Sequence, residues 1–291
     1  MSVVRGLPRV FRDAKAVLGE SLVWHNSTVY WADISLGLLH GSPIDGPDDG
    51  RLDAFLELPP PLASFAPAKS GGFVVSLGDR VVRITLTGEI TELLAPIEHV
   101  HAGLRLNEGK CDAAGRWVTG SINLTTGEPD GALYSISETE GPRVLRGGFG
   151  VANGFEWSFD DTEMFFTDTS VKTIYRAPYD ERGELGEVKV FHTGESHDGL
   201  TIDAEGYLWS GIYGGGKVVR YTPDGIQDLV VELPAPNITS VAFGGDDMAT
   251  LFVASARENL TEEQLLAHPL SGAIFAIDTS TQGRPVRMFG A

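Results

Sequence analysis

Two carboxylates, two carboxamides and two hydroxyls stand at corresponding places in this chain, each ahead of an apolar run. Glu20 ends LGE before SLVW, Asn107 lies in LRLNEGK, Asn153 precedes GFEW, and Asp198 precedes GLTI. Ser64 and Thr239 hold the matching places before FAPA and SVAF. The third place falls on Asn107 or its neighbour Glu108, and the offsets of Asp112 and Gly115, matched to Asp203 and Gly206, favour Asn107. Taken singly, each fits a turn; Asn-Gly and Asp-Gly are ordinary turn pairs. Taken together, they are a set of oxygen donors, and converging carboxylates repel one another without a counter-ion. A hard divalent cation resolves that repulsion. Glu20, Asn153 and Asp198 are the expected ligands of one such ion. Three protein ligands leave positions for water and substrate, the layout of a catalytic metal rather than a sealed structural one. Oxygen donors suit Ca2+ first, then Mg2+ and Mn2+, and tolerate Zn2+ or Fe2+.

Beside this set, Arg105 and Asn107 are two apart on an extended segment and so share a face. A guanidinium and a carboxamide there could grip a polyhydroxylated substrate or a carbonyl oxygen. His99 and His101 in EHVHAG also share a face, but an isolated HxH is a weak metal signal, and they are expected to rim the pocket. His197 is expected to point away from the cation. Cys111 falls within a strand and reads as a small buried apolar residue.

These residues need elements that bring them to one place, and an internal repeat supplies them. Six copies of an apolar strand, a turn and an aromatic or branched strand begin at Ser21, Phe65, Glu108, Gly154, Gly199 and Ser240. Further β-rich runs follow the first five: DAFLEL, ITELLAPI, PRVLRGG, EVKVFHTG and IQDLVVEL. Four strands at a period of roughly 40–45 residues mark a propeller blade. The chain therefore reads as all-β, a six-bladed β-propeller of four-stranded antiparallel blades that forms a single domain over residues 1–291. A β-sandwich of regular hairpins is the alternative, disfavoured because aromatic and turn residues recur at matching offsets. The sixth copy lacks an outer strand. N-terminal VFRDAK is expected to supply it and close the ring, with C-terminal PVRMFG as the competitor. LTEEQLLA reads as a helix with a capping box from Thr261 to Gln264.

Composition limits the partners. A formal net charge of −18 disfavours nucleic acid and anionic membranes. One cysteine allows no internal disulfide, and the N-terminal stretch has no apolar leader, so a cytoplasmic setting is expected. No apolar run reaches the length of a membrane span. GxSxG, P-loop and dinucleotide fingerprints are absent; GIYGGGKVV lies between predicted strands with no helix behind it to bind an anion.

Several long motifs, in order, resemble the SMP-30/gluconolactonase/luciferin-regenerating family that includes regucalcin. They are LGESLVW, LRLNEGKCDAAGRW, ANGFEWSFDDTEMFFTD, HDGLTIDAEGYLWSGIYGGGKVVRYTPDG, LPAPNITSVAFGGDDMATLFVASA and HPLSGAIFAID. The resemblance implies a six-bladed propeller with one divalent metal on Glu20, Asn153 and Asp198. It also implies substrate contacts from Arg105 and Asn107, and Asp198 as general base. The implied reaction is hydrolysis of a sugar lactone, a gluconolactone-like aldonolactone, to the aldonic acid. In that reading the metal polarises the ring carbonyl or activates water. Two departures stand out: His197 replaces a usual proline, and the nearest counterpart of a sugar-contacting glutamate is Thr125. A related propeller hydrolase of aryl esters or organophosphates, and a non-catalytic metal-binding propeller, are the alternatives.

Overall fold

The computed structural model describes residues 3–47, 50, 51 and 53–290, and it is built from short strands whose apolar side chains alternate between the faces of six sheets. Each sheet has four antiparallel strands. Five run outward in chain order, beginning with the inner strands Gly19–His25, Leu62–Pro67, Leu104–Cys111, Ala152–Trp157 and His197–Ile202. The sixth starts at Asn237–Gly244 and continues through Thr250–Ala256 and Ile274–Asp278. Its outer strand is N-terminal Arg9–Arg12, paired antiparallel to Ile274–Asp278, as the VFRDAK run suggests. The N-terminal strand covers the outer edge that Ile274–Asp278 would otherwise expose, and so ties early and late parts of the chain into one blade.

Apolar faces meet between blades rather than within one central core. The hydrophobic clusters alternate round the ring. One joins Val23, Leu39 and Leu58 of the first blade to Phe65 and Val82 of the second. The next joins Val74 and Ala95 to Trp117 and Ile136. The ring is completed where Phe11, Leu22 and Trp31 meet Phe252 and Ile274. Trp117, Trp157 and Trp209, fully buried, fill three of these seams.

Turns at one end of the blades are closed by aspartates at repeated offsets. Asp112 accepts from the backbone N–H of Ala114 and Arg116, and Asp203 from those of Glu205 and Tyr207. The helix spans Glu262–Ala267, and Thr261 and Gln264 form the expected capping box in both directions. PVRMFG does not enter a blade. Residues 283–290 instead run as a strap across the ends of the inner strands. Gly283 bridges Asp203, Arg284 donates to the carbonyls of Trp157 and Ser158, and Phe289 exchanges backbone bonds with Pro67 and Lys69. Arg284 and Arg287 both pair with Asp161. Beneath the strap lies an axial cavity of about 60 Å³, lined in part by Glu108, Lys110, Cys111, Glu156 and Arg284–Arg287.

Candidate metal centre

All six inner strands carry a register shift near their start. It falls between Glu20 and Val23, Leu62 and Ser64, Leu106 and Gly109, Asn153 and Phe155, His197 and Leu200, and Ile238 and Val241. A bulge breaks the strict in–out alternation of a strand and re-aims side chains. The oxygen-bearing residues identified in the sequence sit at these bulges, at the opposite ends of the inner strands from the strap.

The bulges bring four of those residues together and spend the other two differently. Asn107 Nδ2 donates to Asn153 Oδ1 at 3.3 Å and to the Ala152 carbonyl at 3.2 Å. Glu20 and Asp198 each offer a carboxylate oxygen within 4.8 Å of the other, and Glu108 offers a third within the same distance. Ser64 and Thr239, by contrast, donate to the carbonyls of Asn107 and Gly19 and so stitch adjacent inner strands together. Arg105 joins the group as its shared face with Asn107 suggests: its Nη1 donates to Asn107 Oδ1 and to the Leu106 carbonyl, both at 2.8 Å.

Glu108 is the residue that sequence reasoning left out. One donor per repeat was expected, and Asn107 took the place. The bulge between Leu106 and Gly109 turns both neighbours into the site. Gly109 permits this, since a Cβ there would stand 2.2 Å from Trp117 Cζ2 and 2.8 Å from Ser64 Oγ.

Electrostatics follow from burial. Glu20, Glu108 and Asp198 are 7%, 8% and 3% exposed. Burial, and then Glu108, holds the Glu20 carboxyl well above the ordinary carboxylate range. Burial, followed by Glu20 and Glu108, does the same to Asp198. Burial pushes Glu108 up to about 7, against the pull of Lys110 and of the Gly154 N–H. Among the described residues, Asp198 Oδ1 and Glu108 Oε2 find no hydrogen-bond partner. Buried acceptors without donors, on carboxylates that repel one another, fit a hard divalent cation held by oxygen. Glu20, Asp198 and Asn153 have the donor chemistry to hold it.

The loops before Glu20 and Asn153 are pinned by two aspartates at the ends of second strands. Asp33 accepts from the Val17 and Leu18 N–H groups just before Glu20. Asp168 accepts from Gly150 and Val151 just before Asn153, and also from Ser170. Both end similar runs, VYWAD and MFFTD, a signal present in the sequence.

The rim has contributions from several blades. The carboxylates of Glu258 and Glu20 face Arg105 and oppose the effect of its burial. Asn259 donates to the Tyr213 hydroxyl at 2.9 Å. His101 contacts Asp130 at 3.2 Å and accepts from the Gly103 N–H, and with His99 it lines a neighbouring groove. Thr125 donates its N–H to Asn123 Oδ1 and brings no carboxylate. His197 is fully buried, with Nδ1 3.1 Å from Ser210 Oγ and its ring against His192 and Tyr221. Burial, then His192 and Lys217, pushes its pKa down to about 3, so the ring is neutral. GIYGGGKVV forms the hairpin between Leu208–Ile212 and Lys217–Tyr221, where no helix follows.

Fold and site together define a six-bladed propeller with an axial oxygen-donor centre. Residues 18–257 match the sequence model of the SMP-30/Gluconolactonase/LRE-like region, and the chain belongs to that family. Among its relatives is a 6-deoxy-6-sulfogluconolactonase of Pseudomonas putida, 35% identical over 277 residues, covering 92% of this chain and 93% of the relative. A pentonolactonase of Haloferax volcanii is 30% identical over 286 residues, covering 94% of each chain. The crystal structure of a calcium-binding protein, regucalcin from Agrobacterium tumefaciens, superposes with a TM-score of 0.91 at 28% identity and covers 100% of both chains.

Proposed function

We propose that this protein is a lactonase that opens a sugar lactone to its aldonic acid with the help of one divalent cation on Glu20, Asn153 and Asp198. The observation that carries the reading is the convergence of unpaired buried carboxylates beside Asn107 and Arg105 at one mouth of the axis. The names of relatives that act on sulfogluconolactone and pentonolactone support the substrate class. When bound, the cation supplies electrophilic assistance to the lactone carbonyl and charge to balance the oxyanion that forms on attack.

The remaining work falls to this chain's own groups. Asp198 Oδ1, free of any protein donor, is the acceptor for the proton of the attacking water. Arg105 holds the Asn107 carboxamide in a fixed orientation. Asn107 and Arg105 then orient sugar hydroxyls against the carboxylates, which lowers the entropic cost of attack. Burial of Glu20 and Asp198 keeps bulk water from screening these charges.

Chelator-stripped protein should be assayed on a panel of aldonolactones and aryl esters, with cations added back one at a time. Expected are hydrolysis of sugar lactones that returns with the cation, and a loss of about 100-fold or more in kcat for Asp198→Ala. Full activity in that variant or in stripped protein would overturn the reading. A preference for apolar aryl esters would replace the substrate class while keeping the centre.

A further inference from the structure

We propose that Glu108 is a fourth protein ligand of the cation, reaching it from the axial side; this rests on the metal reading of Glu20, Asn153 and Asp198. Glu108 is 8% exposed and offers an oxygen within 4.8 Å of those of Glu20 and Asp198. Oxygens that share one ion at Ca2+–O lengths of about 2.4 Å are separated by up to about 4.8 Å, so the spacing matches a common ligand shell. Its Oε2 has no protein partner.

The nearest internal cation does not supply one. Lys110 Nζ donates to Glu156 Oε2 and to the Leu200 carbonyl, both at 2.9 Å. Glu156 offsets part of the pull of Lys110 on Glu108, which stands with the other two carboxylates. Arg105 is shared with Glu258, so the three carboxylates keep an excess of negative charge that a dication balances better than a monovalent ion. A carboxylate buried this deeply is disfavoured as an anion unless a positive charge faces it, and a shared cation would supply that charge to all three.

Position also assigns a side. Glu108 lines the axial cavity under the strap, whereas Arg105 and Asn107 flank the other ligands. Glu108 would therefore hold the cation from the cavity side, away from Arg105 and Asn107. It also distinguishes the two residues of the bulge: Asn107 orients, and Glu108 binds.

The test is calorimetric titration of chelator-stripped wild type, Glu108→Gln and Glu108→Asp with Ca2+, Mn2+ and Mg2+, beside thermal melts with and without the ion. The glutamine variant, nearly the same in shape, should bind at least about 10-fold more weakly. Its melting temperature without metal should rise, because one like charge is gone, and the increment on adding metal should shrink. A general loss of fold would lower both melts, which separates a structural role from a ligand role. Affinity within about threefold of wild type would overturn the inference while leaving the other three ligands standing. If wild type takes up none of the ions, the metal reading fails and this inference with it. Should the glutamine variant not fold, Glu108→Asp, which keeps the charge but withdraws the oxygen, is judged on affinity alone, by the same tenfold and threefold limits.

Discussion

Gly154 leaves no space for a side chain. Its φ is +45°, and a Cβ would stand 2.2 Å from the Asp198 carbonyl and 2.8 Å from Leu200 Cγ. Asn153 and Asp198 can approach only because this residue is bare. Gly154→Ala should cost about 2 kcal/mol or more in urea unfolding and weaken cation uptake with it, since backbone rather than a flexible side chain must move. At this scale the sequence is legible where chemistry repeats and opaque where geometry departs from repetition. Glu20, Asn153 and Asp198 stand at matched offsets, so their convergence followed from register. Glu108 shares its bulge with Asn107, and no pattern of one residue per copy announces two. The hydroxyls of Ser64 and Thr239 matched the same register yet serve backbone carbonyls, because a hydroxyl can donate where a carboxylate cannot.

Among elements, the second strands do more than fill sheets. Asp168, at the end of Glu163–Asp168, holds the turn that presents Asn153, and Asp33 does so for Glu20. Removing the Asp168 carboxylate strands the N–H groups of Gly150, Val151 and Ser170. Asp168→Ala should therefore destabilise the fold by about 3 kcal/mol in chemical denaturation and raise the cation dissociation constant. Asp168→Asn, which keeps the acceptor oxygen, should recover part of both. Strands, hairpins and the capped helix were legible because apolar alternation and turn residues are local signals. The loops before the ligands were not, since their order comes from side chains on a different strand.

For the whole molecule, closure depends on both ends of the described chain. Phe11 in Arg9–Arg12 packs edge-on against Phe252 at 5.2 Å between centroids. Phe11→Ala should lower stability by about 3 kcal/mol, read from the urea midpoint, because the lost contacts leave a hole in the seam that joins the first and last blades. N-terminal closure could be anticipated because five complete repeats revealed what the sixth lacked. The strap could not, since PVRMFG has a strand's composition and only the occupied outer position excludes it from a blade. Cys111 reports on the strap: it is buried, lies against the cavity under Pro285 and Val286, and burial pushes its thiol pKa up. Ellman's reagent should therefore react with it only as the native protein opens. Phe289→Ala, which removes a fully buried anchor of the strap, should speed that reaction without global unfolding.

The strap lies across one end of the ring, and Arg105, Glu258 and Tyr213 gather at the other. In the proposed reaction the acid formed beside Asp198 departs past them. That acid would be an anion, drawn back by the proposed cation and repelled by the Glu258 carboxylate. Added aldonate should therefore act as a competitive inhibitor, raising KM and leaving kcat unchanged, and Glu258→Gln should deepen that inhibition by letting the product linger.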